Sequence, residues 1–326
     1  MSELPNLSDV FKAAVSIKDM IRETPFIESP ALAAETGAEN IFLKLESLQN
    51  TGAFKVRGAS NKILNLDSKD RERGVITFST GNHGKAVSFV AGKNGIKAVV
   101  CLSENVPAYR AEMIRSLGAE VVVYGKSQDD AEQKYYELID KFGYVPVVPF
   151  DDPAIISGQG TVALEMLKQE PDLDVLLVPL SGGGLLSGVA MAAKEINPGI
   201  HIVGVSIERS PAMLESLKAG KPVAIEEKAT LADSLLGGIG QENYYTLQLI
   251  AKYADEHIVV TEKEIERGMF FAFNKHSLVI EGAAAVGIGA ALAGKIDLKG
   301  KKAAMVISGS TIDQKSYIDI LNRYSE

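Results

Sequence analysis

The sequence predicts an α/β protein built on two parallel-sheet domains, and three observations carry that expectation. From about residue 75 onward, short Val/Ile-rich runs alternate with helix-length amphipathic stretches. The runs are continuously apolar, as strands are when helices cover both faces of their sheet. The chain has 326 residues, more than a single hydrophobic core readily organises, so two such series imply two domains.

In order, VITF at 75–78 is followed by a helix from about residue 83, AVVCL at 98–102 by PAYRAEMIRSLG, and VVVY at 121–124 by QDDAEQKYYELIDKFG; VPVVPF at 145–150 closes the series. The second series runs through VLLVPL at 175–180, a helix from about 185 to 196, HIVGVSI, an irregular stretch and HIVV. It continues with the helix TEKEIERGMFFAFNK, the Ala/Gly-rich GAAAVGIGAALAG and the strand AAMVIS. SKDRERG at 68–74 reads as a charged connector and DDPAIISGQG at 151–160 as turn-rich. We therefore expect a larger domain of residues 1–67 plus 154–326, with residues 68–153 inserted as a smaller α/β domain.

Composition removes several classes of function. Thirty-four basic against 42 acidic residues give a formal net charge of −8, and no Lys/Arg run is dense enough to follow a phosphate backbone, so nucleic acid is not an expected partner. No stretch of about 18 uncharged apolar residues occurs, and the opening MSELPNLSDVFKAAVSIKDMI lacks the basic-then-apolar layout of a signal peptide. A cytoplasmic protein without a membrane partner is expected. His83, His201, His257 and His276 lack HExxH or CxxC companions, which leaves zinc chemistry no ligand set, and Cys101 in a strand-like run reads as core.

Ligands of open α/β sheets bind beyond the carboxyl ends of strands, and three turns stand there. STGNHG, Ser79 to Gly84, opens a helix and suits a carboxylate. SGGGLLSG, Ser181 to Gly188, can aim consecutive N–H groups at a phosphate. SGS, Ser308 to Ser310, brings a hydroxyl that could meet a ring nitrogen. Any one of these turns alone is equally compatible with tight packing and no ligand; three together favour a site. Lys55 lies among Gly52, Ala53, Phe54, Val56, Gly58 and Ala59. Such neighbours desolvate an ammonium and leave an amine able to bond a carbonyl carbon, against the commoner lot of a lysine as a solvated surface charge.

These residues resemble the fold type II pyridoxal-phosphate (PLP) enzymes of the threonine/serine dehydratase and serine racemase group. The resemblance rests on TGAFKVRGA, STGNHG, DDPAIISGQGT, PLSGGGLLSG, TLADSLLGG, EGAAAVG and SGSTID, and covers roughly residues 20 to 315. It implies a tryptophan synthase β-like fold and a PLP-dependent ammonia-lyase, which converts a β-hydroxy amino acid into a keto acid and ammonia. Within the group, ENVPAYRAEMIRSLGAEV, KSQDDAE and TLADSLLGGIG look closest to the hydroxyectoine-utilisation dehydratase branch.

By the same resemblance, Lys55 carries the cofactor and acts as general base, and Asn82 bonds the ring hydroxyl. Gly182, Gly183, Gly184 and Leu185 hold the phosphate, and Ser308 faces the pyridine nitrogen. Phe54, Gly237 and Glu281 belong to the cofactor's surroundings, while Ser79, Thr80, Gly81, Asn82 and His83 grip the substrate carboxylate. The family usually forms homodimers.

The chain departs from the group's pattern in several places. Thr80 stands where racemases use a serine on the opposite face of the cofactor, and its stiffer side chain demotes racemisation. Ser181 replaces the first phosphate-loop glycine, Ala53 a loop serine, and Thr311 an asparagine. Glu208 and Ala212 match two positions of a divalent-cation site found in some relatives, but Leu214 replaces its second acid, so metal binding is expected to be weak at most.

Two other classes compete with this reading. A dinucleotide-dependent dehydrogenase is the rival, with SGGGLLSG after a strand and Glu208 as the ribose-binding acid, but the third fingerprint glycine falls at Ser187. A catalytically silent member of the fold would have lost Lys55, which is present.

Overall fold

A computed structural model describes residues 3–79 and 81–324, with Gln128 and Asp129 described by backbone alone. In chain order the strands are β1 (Phe26–Glu28), β2 (Asn40–Lys44), β3 (Val75–Thr77), β4 (Ala98–Leu102), β5 (Glu120–Val123), β6 (Val145–Pro146), β7 (Val175–Pro179), β8 (His201–Ile207), β9 (Glu256–Val260) and β10 (Lys302–Val306). They form a six-stranded sheet, ordered β1-β2-β10-β7-β8-β9, and a four-stranded sheet, ordered β5-β4-β3-β6. Every pairing is parallel except that of β1 with β2. The last strand, β10, lies inside its sheet, with Ala303 opposite both Ile41 of β2 and Val175 of β7.

The period of two in each strand divides its side chains between the two faces of the sheet. Val175 and Leu177 of β7, with Ala303 and Met305 of β10, enter one core; Leu176, Val178, Ala304 and Val306 enter the other. In the smaller sheet Ala98, Val100 and Leu102 of β4 pack on one face, and Val99 and Cys101 on the other. Cys101 is fully buried there, and burial pushes its thiol up to about 11. It is a core residue, as its position in a strand suggested.

Two segments differ from the sequence expectation for a common reason. DDPAIISGQG is the head of the long helix Pro153–Gln169: Asp152 accepts from the N–H groups of Ala154 and Ile155, and Pro153 occupies the first turn. SKDRERG is a short helix, Ser68–Arg73, capped by Asp67. Asp, Pro and Gly mark helix ends as well as turns. The stretch expected to be irregular also contains the helices Ala212–Ala219 and Thr246–Tyr253.

The helix Lys55–Leu64 lies against the helix Pro153–Gln169 at a glycine crossing. A Cβ on Gly158 would stand 2.7 Å from both the Arg57 carbonyl oxygen and the Gly58 Cα, so only glycine permits the approach. Val56, Ala59 and Ile63 of the first helix and Ile155 of the second enter the core of the four-stranded sheet.

Beside this crossing lies a buried ionic cluster. Arg57 donates to Glu46 at 2.7 and 2.8 Å, to Glu165 at 2.6 and 2.8 Å, and to Thr161 at 3.0 Å. Lys44 donates to Glu165 at 2.5 Å and to the Thr24 carbonyl at 2.7 Å. Two cations and two carboxylates thus offset one another's desolvation. Among the described residues, no helix is long and apolar enough to cross a membrane.

Candidate active site

Lys55 is the first residue of its helix and follows an isolated bridge between Ala53 and Gly309. The Phe54 N–H donates to the Ser308 carbonyl at 3.0 Å, and the Ser310 N–H donates to the Gly52 carbonyl at 2.9 Å. These bonds lay the lysine segment along the carboxyl end of β10. The partly buried side chain sends Nζ to the Pro149 carbonyl at 2.7 Å, 5.2 Å from the centre of the Phe54 ring. Burial pushes the ammonium pKa down to about 8, partly opposed by the Glu281 carboxylate.

The turn after β3 opens the helix Asn82–Lys93, and among the described residues no side chain caps its first N–H groups. Asn82 and His83 are buried in that first turn, while Ser79 and Gly81 remain partly exposed. Asn82 Nδ2 donates to both oxygens of Glu281, at 3.1 and 3.0 Å. Burial pushes Glu281 above the usual carboxylate range, and the Asn82 and Thr311 hydrogen bonds pull it back. His83 Nε2 lies 2.8 Å from the Val147 carbonyl, an acceptor, so that nitrogen carries the proton. Burial and the Lys55 charge push the imidazole pKa down to about 3, which keeps the ring neutral.

The turn after β7 leads into the helix Gly184–Ile196 through Gly183, whose φ of 90° is the helix's left-handed N-cap; again no side chain caps the turn. A Cβ on Gly183 would also stand 2.5 Å from Ile250 Cδ1. The first intrahelical bond is Ser187 N–H to the Gly183 carbonyl at 2.8 Å, which leaves the N–H groups of Gly184 and Leu185 without a helical acceptor. The helices Leu7–Ile17, Gln128–Phe142, Pro153–Gln169 and Glu262–His276 carry side-chain caps from Asn6, Ser127, Asp152 and Thr261. The uncapped ends of Asn82–Lys93 and Gly184–Ile196 follow the carboxyl ends of β3 and β7, where ligands of such sheets are held.

This geometry meets an independent comparison: the family model of pyridoxal-phosphate dependent enzymes matches residues 17–309. The chain belongs to that family. A protein of Sinorhizobium fredii, provisionally assigned as a threonine dehydratase, is 44% identical over 99% of this chain and 97% of its own. L-threonine ammonia-lyase of Thermotoga maritima is 41% identical over 97% of this chain and 78% of its own. The structure of maize serine racemase superposes with a TM-score of 0.92 at 32% identity, covering 99% of this chain and 98% of that one.

The cofactor of this PLP enzyme is therefore pyridoxal phosphate, and the dinucleotide alternative falls with the family match. The residues fit the group. The Gly183 turn would be filled by any Cβ, its N–H donors suit a phosphate, and an amine of lowered pKa lies in the same site.

Other expected positions are placed as follows. Ser308 is buried at the end of β10 beside the Lys55 segment. Gly237 occupies a loop at φ 111°, beyond the turn whose Leu231 carbonyl packs on Gly282 next to Glu281. Thr80 lies outside the described residues. Glu208 is exposed after β8, and Ala212 is buried at the start of its helix. Among the described residues, no three His, Cys, Asp or Glu side chains gather as a metal site.

Sequence reasoning missed Pro149 and Phe150, whose segment runs between Lys55 and the glycine turn. Pro149 accepts from Lys55, and the Phe150 ring occupies the space a Cβ on Gly182 would need. It also missed Lys85 as a partner of Thr311, and Arg110 as a partner of Asp233. VPVVPF reads as strand throughout, but β6 ends at Pro146, and Pro149 and Phe150 lie in the segment that follows it, just before Asp151 and Asp152.

Proposed function

We propose that this PLP enzyme is a lyase that eliminates the hydroxyl of a small β-hydroxy amino acid, threonine or serine in kind, to give a keto acid and ammonia. One observation carries the reading: a lysine amine lowered to about 8 by burial stands between an uncapped glycine turn and an uncapped carboxylate-type turn. The threonine ammonia-lyase relative supports it.

Bound in the site, pyridoxal phosphate supplies an electron-withdrawing ring that stabilises negative charge at the substrate's α-carbon. Lys55 Nζ would hold the cofactor through its carbonyl carbon, and the same amine, lowered in pKa by burial, would serve as base for the substrate's α-proton. The amides of Gly182, Gly183, Gly184 and Leu185 would hold the phosphate, with Phe54, Gly237 and Glu281 around the ring. Ser79, Gly81, Asn82 and His83, with Thr80 between them, bind the substrate carboxylate at a helix N-terminus. Ser308 would face the ring nitrogen with a neutral hydroxyl and offer it no charge, which would suit loss of a β substituent better than transamination.

A hydroxyectoine-derived amino acid is the second substrate reading. It rests on the resemblance of ENVPAYRAEMIRSLGAEV, KSQDDAE and TLADSLLGGIG to that branch. The proposal also includes a cytoplasmic homodimer, divided into residues 1–67 with 154–326 and residues 68–153.

Absorbance of the purified protein, before and after borohydride reduction, tests the class. Keto-acid formation from L-threonine, L-serine and ring-opened hydroxyectoine derivatives tests the substrate. A visible band and keto acid, both lost in Lys55→Ala, are expected. A protein with no visible band even after PLP is added would overturn the reading.

A further inference from the structure

Four side chains form one hydrogen-bond chain that ends at the buried Glu281. Lys85 Nζ donates to Thr311 Oγ1 at 3.0 Å, and Thr311 Oγ1 donates to Asn82 Oδ1 at 2.7 Å. Asn82 Nδ2 then donates to the two Glu281 oxygens at 3.1 and 3.0 Å. The Thr311 N–H closes the arrangement by donating to Glu281 at 2.9 Å.

The sense of these bonds follows from the chemistry of the two ends. An ammonium donates and cannot accept, so Thr311 must receive Lys85 on a lone pair and direct its own hydrogen elsewhere. That hydrogen goes to Asn82, which must therefore turn its oxygen to Thr311 and its NH2 to Glu281. An ionised carboxylate only accepts, so the far end demands the same orientation. With an apolar side chain in place of Lys85, the Thr311 hydroxyl could accept from Asn82 as well as donate to it, and the amide's orientation would rest on its bonds to Glu281 alone.

We propose that Lys85 is a positioning residue that acts through Thr311 to hold the Asn82 amide with Nδ2 toward Glu281 and the cofactor's ring hydroxyl. The inference rests on the reading of Asn82 as the partner of that hydroxyl. The charged groups facing the chain are Lys55 and Asp233 around Glu281, and Glu281 and Arg110 around Lys85. Lys85 is partly buried, so its ammonium is poorly screened and reaches Asn82 through a single hydroxyl.

The test compares holoenzymes carrying Lys85→Met, Lys85→Arg, Thr311→Val and Thr311→Ser, with Lys93→Met, an exposed lysine of the same helix, as control. Two readouts are followed: the pH midpoint of the cofactor's visible band, and kcat separately from KM. Lys85→Met and Thr311→Val are each expected to move the midpoint and to lower kcat about tenfold, the loss of one charge-assisted hydrogen bond, with KM nearly unchanged. Lys85→Arg and Thr311→Ser restore both readouts, and the Met/Val double variant is no worse than either single change, because each breaks the same chain.

Unchanged midpoint and kcat in Lys85→Met, or additive losses in the double variant, would overturn the inference. Those results in a protein whose visible band still depends on Lys55 would sink this inference alone. Absence of the band from the unmodified protein would instead sink the functional reading beneath it.

Discussion

Burial moves the two ionisable groups at the centre of the site in opposite directions, Lys55 down to about 8 and Glu281 upward. Both shifts favour the neutral form, the expected result of removing water from charges of either sign. The lysine shift has a kinetic consequence in the protein stripped of cofactor. Nucleophilic capture of PLP needs the free amine, whose fraction rises about tenfold per pH unit below the pKa. The rate of visible-band formation on mixing with PLP is therefore expected to climb with pH and level off above about 8. A plateau already reached at pH 6, or a rate rising without a break beyond pH 10, would contradict the shift. The small and apolar neighbours of Lys55 made its desolvation legible in the sequence. Its partner, the Pro149 carbonyl, carries no side-chain signature at all.

Two helix ends at the site contrast with that of the capped helix Pro153–Gln169. Asp152 satisfies the first turn of Pro153–Gln169, while the helices beginning at Asn82 and Gly184 keep their N–H groups for a ligand. The sequence reading of DDPAIISGQG as turns failed here. Asp151, immediately before the cap, accepts from the N–H groups of Tyr244, Tyr245 and Thr246 and so anchors a different helix. The glycines that looked like loop residues are the helix crossing itself. Gly158→Ala is expected to destabilise the protein by about 1–3 kcal/mol, because the new Cβ meets backbone atoms that cannot move aside without shifting the Lys55 helix. Urea unfolding measures it, and a change within about 0.5 kcal/mol of zero, the scale of an ordinary surface substitution, would mean the crossing is looser than described.

At the scale of the whole molecule, the two sheets meet through the helices that flank Lys55, and the buried ionic cluster ties those helices to β2. Arg57 is fully buried and serves both Glu46 and Glu165, so removing it leaves Glu46 without a cation and Glu165 with Lys44 alone. Arg57→Met is expected to cost about 3–5 kcal/mol in unfolding free energy, since unpaired buried charges are expensive. Denaturant titration checks this, and a loss below about 1 kcal/mol, the worth of an exposed ion pair, would show that the cluster is solvated. A depression lined by Asp174, His201, Glu256, Lys295 and Lys301 lies at the amino ends of β7 to β9. It is at the wrong end of the sheet for the ligands of such folds.

The sequence by itself determined the alternation of strand and helix, the glycine turns at the strand ends, and the lysine set among small residues. Each of these is a short-range property, written in contiguous residues through periodicity, backbone freedom and local desolvation. Tertiary structure alone decided which groups meet: Lys55 with a carbonyl 94 residues away, Asn82 with a carboxylate 199 residues away, and Lys85 with a hydroxyl 226 residues away. The reason is geometric. Partners so distant are set by how the two sheets dock and by where β10 inserts, and a side chain's type says what it can bond but not what the fold brings to it.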